Sequence, residues 1–465
     1  MTSQADHGTS RSSNRQISLR WLKTSAGVAA ALLTIATSAR SQDEANSKEP
    51  SYRVVHAFTG GSDGSEYNTF APYDAGMTRE MMRDAEGNLY GTAYGGGYLS
   101  PGEFGPCTFG CGVVFKLDKA GKETELHAFT GAPDGVVPVP GLVRDEQGNV
   151  YGATYGGGSA PMSAGTVFKI DRNGKETVLY SFTGGADGGN PWTGPIRDEE
   201  GNLYGTTISG GLPECFFGGC GVVYKIDPRG HETVLYSFTG GTDGGRPSAG
   251  LIRDEEGNLY GTAPDGGAFG NGVVFKVDCE GKETVLYSFK GAPDGAGPIT
   301  ALIRDANGNF YGTTGGGGST GPNCGGFGCG TVYKLDRNGK ETVIYAFTGG
   351  DEGSGPEGRL LRYHDDLYGV TYFGGTPEPG CVDQCGVVFK LDRDGKYSVV
   401  YSFQGGALGS NPQGGLVEDK GALYGITGFG GDISQPDCGG GCGVVFKLKV
   451  SECEDMNDGD DTVSP

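Results

Sequence analysis

Ten of the twelve cysteines in this 465-residue chain fall into five close pairs: Cys107 with Cys111, Cys215 with Cys220, Cys324 with Cys329, Cys381 with Cys385, and Cys438 with Cys442. Such pairs support two chemistries. Oxidised, each closes a small loop; reduced, the thiolates hold zinc, which needs four converging ligands. No His accompanies any pair, and the pairs stand far apart in the chain, so local disulfides are favoured over metal. Cys279 and Cys453 remain, either bridged to each other or free.

Carboxylates also recur. Asp-Gly elements stand at Asp63-Gly64, Asp134-Gly135, Asp187-Gly188, Asp243-Gly244 and Asp294-Gly295. A ring of them is the feature most compatible with calcium, a cation that takes six or more oxygens. The simpler reading has each Asp accept from its own turn backbone, with Gly at positive φ. An Arg-Asp pair repeats at Arg83-Asp84, Arg144-Asp145, Arg197-Asp198, Arg253-Asp254 and Arg304-Asp305. There Asp is expected to hold the following turn while Arg pairs with neighbouring carboxylates. The tail run Asp455 to Asp460 has calcium-loop composition, but its Gly falls at the wrong offset and the terminal Glu is missing.

Equipment for nucleophilic catalysis is thin. Of five histidines, His7 is near the start, His56 and His127 stand where other copies of the same phrase have Tyr, and His231 and His364 lie in turn sequences. No G-x-S-x-G, H-E-x-x-H or phosphate-binding loop motif is present.

The elements that position these residues are copies of one phrase. GNLYGTT (Gly201 to Thr207) leads through a Gly-rich stretch to GVVYKID (Gly221 to Asp227), a turn and ETVLYSFTGG (Glu232 to Gly241). Its Tyr recurs at 90, 151, 204, 260, 311, 368 and 424. The second aromatic recurs at Phe115, Phe168, Tyr224, Phe275, Tyr333, Phe389 and Phe446, and the closing Phe at 58, 129, 182, 238, 289, 347 and 403. Each copy holds four short runs, A to D, with period-two alternation bounded by Gly, Asn and Asp, which predicts a four-stranded antiparallel meander. Four strands in about fifty residues is one propeller blade.

The region opens on an orphan D strand, Val54 to Phe58, and ends on an orphan A-B-C set up to Leu448. Seven complete blades exist only if the first strand joins the last three. The expected fold is therefore all-β, a seven-bladed β-propeller over residues 52–450, closed by an N-terminal outer strand.

In that architecture the A–B and C–D turns share one rim, and the B–C and D–A loops share the other. The second rim carries long loops: 20 to 25 positions separate the LYG-type Tyr from the strand-C aromatic in the five copies with a Cys pair, against 17 and 15 in the other two. It also carries Trp192, Tyr98, Phe104, Phe109, Phe216, Phe217, Phe269, Phe327, Tyr372, Phe373 and Phe429. Loops on a rigid scaffold are where binding residues concentrate, so this face is the candidate binding surface; packing within the loops is the alternative role for the same rings.

Residues 1–41 read as a signal peptide: Arg11, Arg15, Arg20 and Lys23, then the apolar run Ala26 to Ala36, then small residues to Ser41. A linker follows over 42–51, and an acidic tail over 451–465. No later segment is apolar enough to span a bilayer. The net charge of −21 excludes partners that reward clustered Lys and Arg, nucleic acid above all. A secreted or periplasmic monomer is expected.

The phrases GNLYGTT, GVVFKLD and ETVLYSFTGG resemble the Gloeo/Verruco (GloVer) tandem repeat of exported bacterial proteins, across residues 52 to 450. That resemblance implies export, and it implies no established catalytic residues. The family's varied C-terminal anchors have no recognisable counterpart in the acidic tail. Three functions follow as expectations: binding of a glycan, peptide or envelope partner through the loop face, degradation of an extracellular polymer by channel carboxylates, or a purely structural envelope role.

Overall fold

The computed structural model describes residues 51–65, 80–97, 107, 110–160, 164–212, 218–376, 381, 385–432, 434, 438 and 440–450. Seven antiparallel blade sheets account for nearly all its regular structure, each a four-strand meander whose strand A is split into two segments in blades 2 and 3. In blade 4 the strands are Ile252–Arg253 (A), Leu259–Ala263 (B), Val273–Val277 (C) and Glu283–Ser288 (D), paired in chain order. Blades 1 to 6 repeat this meander. Blade 7 takes A, B and C from Ser410–Asp419, Ala422–Phe429 and Val444–Lys449, and its outer strand from the start of the chain, Ser51–Ala57. Val54 pairs with Phe446 and Ser51 with Lys449, antiparallel. The expected closure is present.

A ring of aromatic contacts explains why closure is favourable. The closing Phe of each D strand meets the strand-C aromatic of the next blade edge-on: Phe129 with Phe168, Phe182 with Tyr224, Phe238 with Phe275, Phe289 with Tyr333, and Phe347 with Phe389, at 5.0–5.2 Å. Phe403 with Phe446 at 5.1 Å and Phe58 with Phe115 at 5.3 Å complete the circle. Edge-to-face pairs of this kind add stability beyond burial of their area. The core therefore lies between blades, and every blade needs both neighbours.

The Gly of each LYG-type segment follows from this packing. A Cβ on Gly261 would lie 2.6 Å from Phe275 Cζ, and one on Gly425 would lie 2.5 Å from Phe446 Cζ. The strand-C ring covers the strand-B backbone and only Gly leaves room. Gly261→Ala should cost about 1–3 kcal/mol through overpacking; denaturant titration against the parent measures it.

The first rim is tight, as expected. Asp254 accepts hydrogen bonds from the Asn258 amide N–H, the Asn258 side chain and the Tyr260 hydroxyl, at 2.8–2.9 Å. Equivalent sets hold Asp84, Asp145, Asp198 and Asp305. The partnered Arg reaches sideways: Arg253 lies 5.7 Å from the Tyr204 ring of the preceding blade, which also faces Lys225 at 5.6 Å. Arg83 bonds Asp419 across the closing junction. These charges staple blade to blade.

Blade 6 departs from the repeat at Tyr363-His364-Asp365-Asp366. The departure has a structural consequence: strand A runs ten residues, Ser354–Tyr363, and turns through His364 (φ 54°) directly into Asp366–Phe373. Blade 7 does the same through Lys420 and Gly421, both at positive φ, which suits the right-handed twist of a two-residue hairpin.

Candidate functional site

The second rim is organised by the residues that open strand C. The N–H of the residue before the strand-A proline donates across each described seam: Val137 to Cys111 O, Asn190 to Ala164 O, Arg246 to Cys220 O, Gly297 to Asn271 O, Gly355 to Cys329 O and Asn411 to Cys385 O, at 2.6–3.0 Å. The second cysteine of a pair thus supplies the carbonyl that joins one blade to the next. Disulfides link Cys107 to Cys111, Cys324 to Cys329, Cys381 to Cys385 and Cys438 to Cys442. Cys220 is also disulfide-bonded, while Cys215 lies outside the described residues. Short-loop blades put Ala164 and Asn271 at that seam and need no clamp. Cys279 is a free, exposed thiol in a C–D turn, and Cys453 lies outside the described residues.

The aromatic candidates divide by exposure. Phe269 is 57% exposed, Phe327 92% and Phe373 45%, in or beside the B–C loops of blades 4, 5 and 6. Leu212 in the blade 3 B–C loop and Leu408 in the D–A loop after blade 6 are exposed on the same rim. Of the exposed large apolar side chains among the described residues, only Val399 lies elsewhere, on an outer strand. Trp192, Tyr372 and Phe429 are half-buried. Trp192 packs edge-on against Tyr155 at 5.5 Å, and Tyr372 against Phe373 at 4.6 Å. Tyr98, Phe104, Phe109, Phe216 and Phe217 lie outside the described residues.

The Asp-Gly elements hold their own loops. Asp187 accepts from the Thr183 amide at 2.8 Å and from its hydroxyl; Asp63, Asp134, Asp243 and Asp294 occupy equivalent places. The structure adds a partner from the same D strand. The hydroxyls of Tyr180, Tyr236 and Tyr287 donate to Asp187, Asp243 and Asp294 at 2.8–3.0 Å. Against each pair stands the Glu that opens the next blade's D strand. Glu232, Glu283 and Glu341 are pushed up to about 7, first by burial and then by Asp187, Asp243 and Asp294 respectively. Their Oε1 atoms are buried without hydrogen-bond partners. At the blade 4–5 junction the cluster opens into a cleft of about 560 Å³ lined by Tyr287, Lys290, Asp294 and Glu341.

At two junctions His replaces Tyr: His56 with Asp63 and Glu123, and His127 with Asp134 and Glu176. At two others Tyr replaces Glu. Tyr397 stacks on Tyr345 and Tyr52 on Tyr401, both at 4.2 Å between centroids. All these residues were present in the repeat phrase, yet their meeting joins different copies and leaves no mark within one copy.

This is a β-propeller of seven blades with a disulfide-clamped loop face. The chain belongs to the Gloeobacter/Verrucomicrobia repeat family, whose profile matches residues 78–324 and 319–455. No curated protein sequence matches it. Among solved structures it is similar to a virginiamycin B lyase from Staphylococcus aureus, at 12% identity and TM-score 0.53, covering 87% of this chain and 100% of that one. It is also similar to an aldose sugar dehydrogenase from Streptomyces coelicolor, at 11% identity and TM-score 0.40, covering 87% and 99%. A gluconolactonase from Xanthomonas campestris matches at 13% identity and TM-score 0.38, covering 83% and 88%. At such identities the likeness is one of fold. Among the described residues no helix is long and apolar enough to cross a membrane.

Proposed function

We propose that this chain is an exported binding propeller that recognises a glycan through the B–C rim. One observation carries the reading: Phe269, Phe327 and Phe373 expose their rings at successive blades of one rim. Exposed rings on neighbouring rigid blades are binding anchors held at fixed spacing. Single rings set among Gly-rich polar loops suit successive faces of a sugar chain better than a protein partner, whose interface needs a contiguous apolar centre. The acidic charge disfavours nucleic acid. The export reading is supported by the signal-like sequence of residues 1–41 and by disulfides, which persist in oxidising compartments.

Affinity electrophoresis of the purified chain in soluble polysaccharides tests this. Retardation by at least one polymer is expected, and Phe269→Ala with Phe327→Ala should weaken it about tenfold or more with the melting temperature unchanged. Retardation untouched by both substitutions would refute the assignment of the face; a capture confined to an envelope protein or peptide would refute the ligand class.

The polymer-degrading reading, expected of channel carboxylates, has one observation in its favour, and it lies at an outer-strand junction instead of the channel. Asp294 and Glu341 share an open cleft, and their environment holds Glu341 up to about 7, where a carboxyl can donate a proton. Polymer turnover lost in Glu341→Gln, with binding intact, would select it. Neither binding nor turnover would leave the structural role.

A further inference from the structure

The two histidine junctions differ from the other blade junctions in chemistry and in spacing. At three of the junctions where Tyr occupies the position its hydroxyl reaches the loop Asp directly at 2.8–3.0 Å, and at a fourth it reaches Glu352 at 2.9 Å. Where His occupies it, the gap is wider. His56 Nε2 lies 3.6 Å from Asp63 Oδ2 and 3.5 Å from Glu123 Oε2, beyond hydrogen-bond length, and is buried without a hydrogen-bond partner. His127 Nε2 lies 3.3 Å from both oxygens of Asp134, beside Glu176, whose Oε1 is buried and unpartnered. In each set the ligand-capable atoms lie within 4.8 Å of one another.

Those separations fit a shared ion. Zinc bonds to nitrogen and oxygen run about 2.0–2.2 Å, so the edges of a tetrahedral site are about 3.3–3.6 Å long. The ligands are held in advance. The imidazoles pack edge-on against Phe58 and Phe129 at 4.9 and 4.8 Å. Asp63 and Asp134 accept from the Thr59 and Thr130 amides at 2.9 and 3.0 Å. Imidazole with two carboxylates suits zinc-class cations, whereas calcium calls for six or more oxygens.

We propose that His56–Asp63–Glu123 and His127–Asp134–Glu176 each bind a zinc-class divalent cation, with a fourth position left for water. The first ion joins the closing strand and its loop to blade 1, and the second joins blade 1 to blade 2. The cation thereby strengthens the ring where the two chain ends meet. The competing account is a protonated His paired with both carboxylates.

The full chain, stripped with chelator, is titrated calorimetrically with Zn²⁺ in millimolar Mg²⁺, which occupies unspecific acidic surface. Two equivalents are expected. His56→Tyr and His127→Tyr should each retain one and the double variant none. Tyr at these places is what the five other junctions use, so the fold is preserved; Glu123→Gln supplies a second route to the same loss. Co²⁺ in place of Zn²⁺ should give visible absorption that the double variant lacks. Wild type taking up no more Zn²⁺ than the double variant would overturn the proposal in favour of the charged-His pair, as would stoichiometry unmoved by any of these substitutions.

Discussion

A chain lacking Ser51–Phe58 should fail to give a soluble monomer with a cooperative melt, although 27 of the 28 blade strands would remain encoded. The strand supplies the outer edge of blade 7, and its removal leaves Val444–Lys449 as an unpaired apolar edge, a template for association. It also removes Phe58, which is fully buried against Phe115, and Tyr52, which stacks on Tyr401 and lies 5.7 Å from Phe446. Both neighbours of the seam are affected. A milder version separates the latch from general packing: Phe58→Ala should cost about 3–5 kcal/mol, and Phe238→Ala at an internal junction should cost the same. Only Phe58→Ala should also speed proteolysis near Ser51–Ala57, because only in blade 7 is the outer strand not joined by a turn to strand C of its own blade. Size-exclusion chromatography and limited proteolysis read both results. A truncated chain that stays monomeric and melts with the parent would show that the ring does not depend on its latch.

The blade count, the meander and the closing strand were legible because they are properties of one repeat and of where the repeats start and stop. Val54 to Phe58 matches strand D in pattern and occurs before any A, B or C, so a ring was the arrangement that completed it. The cysteine pairs were legible by loop length. The junction clusters were not. Tyr180, Asp187 and Glu232 come from two copies of the phrase, and within one copy the Glu reads as an ordinary polar strand start. Strand twist brings the end of one D strand to the beginning of the next, an outcome of three-dimensional geometry that spacing does not encode. The Arg of the Arg-Asp pair shows the same limit: its expected partners were carboxylates, and its recurring contact is the Tyr ring of the preceding blade. His56 and His127 stood out only as substitutions for Tyr, and their carboxylate neighbours became visible in the assembled ring.

Between pH 4.5 and 7 the melting temperature of the metal-free chain should fall as pH rises, and part of that fall belongs to Glu232, Glu283 and Glu341. Each is raised from an ordinary value of 4.5 to about 7 in the folded chain, first by burial and then by the Asp beside it. In this window the folded state binds more protons than the unfolded one, so stability declines with pH; below 4.5 both states are protonated and the contribution is complete. Above 7 it is gone. The groups are half-buried, and solvent screening reduces each contribution to about 1 kcal/mol, or roughly 3 °C for the three together in a chain of this size. Self-repulsion among the acidic surface groups acts in the same direction. Replacing all three Glu by Gln therefore isolates their share: the slope from the surface and from Glu123 and Glu176 remains, the share of these three disappears, and the variant gains most over the parent above pH 7. Asp84, Asp145, Asp198, Asp254 and Asp305 are held below the usual carboxylate range by their turn hydrogen bonds, so their stabilisation is lost only in stronger acid and leaves this window clear. A parent melting temperature that rises between pH 4.5 and 7, or a triple variant with the parent's slope, would mean that the buried glutamates stay charged, and that the junctions are compensated by something other than a proton.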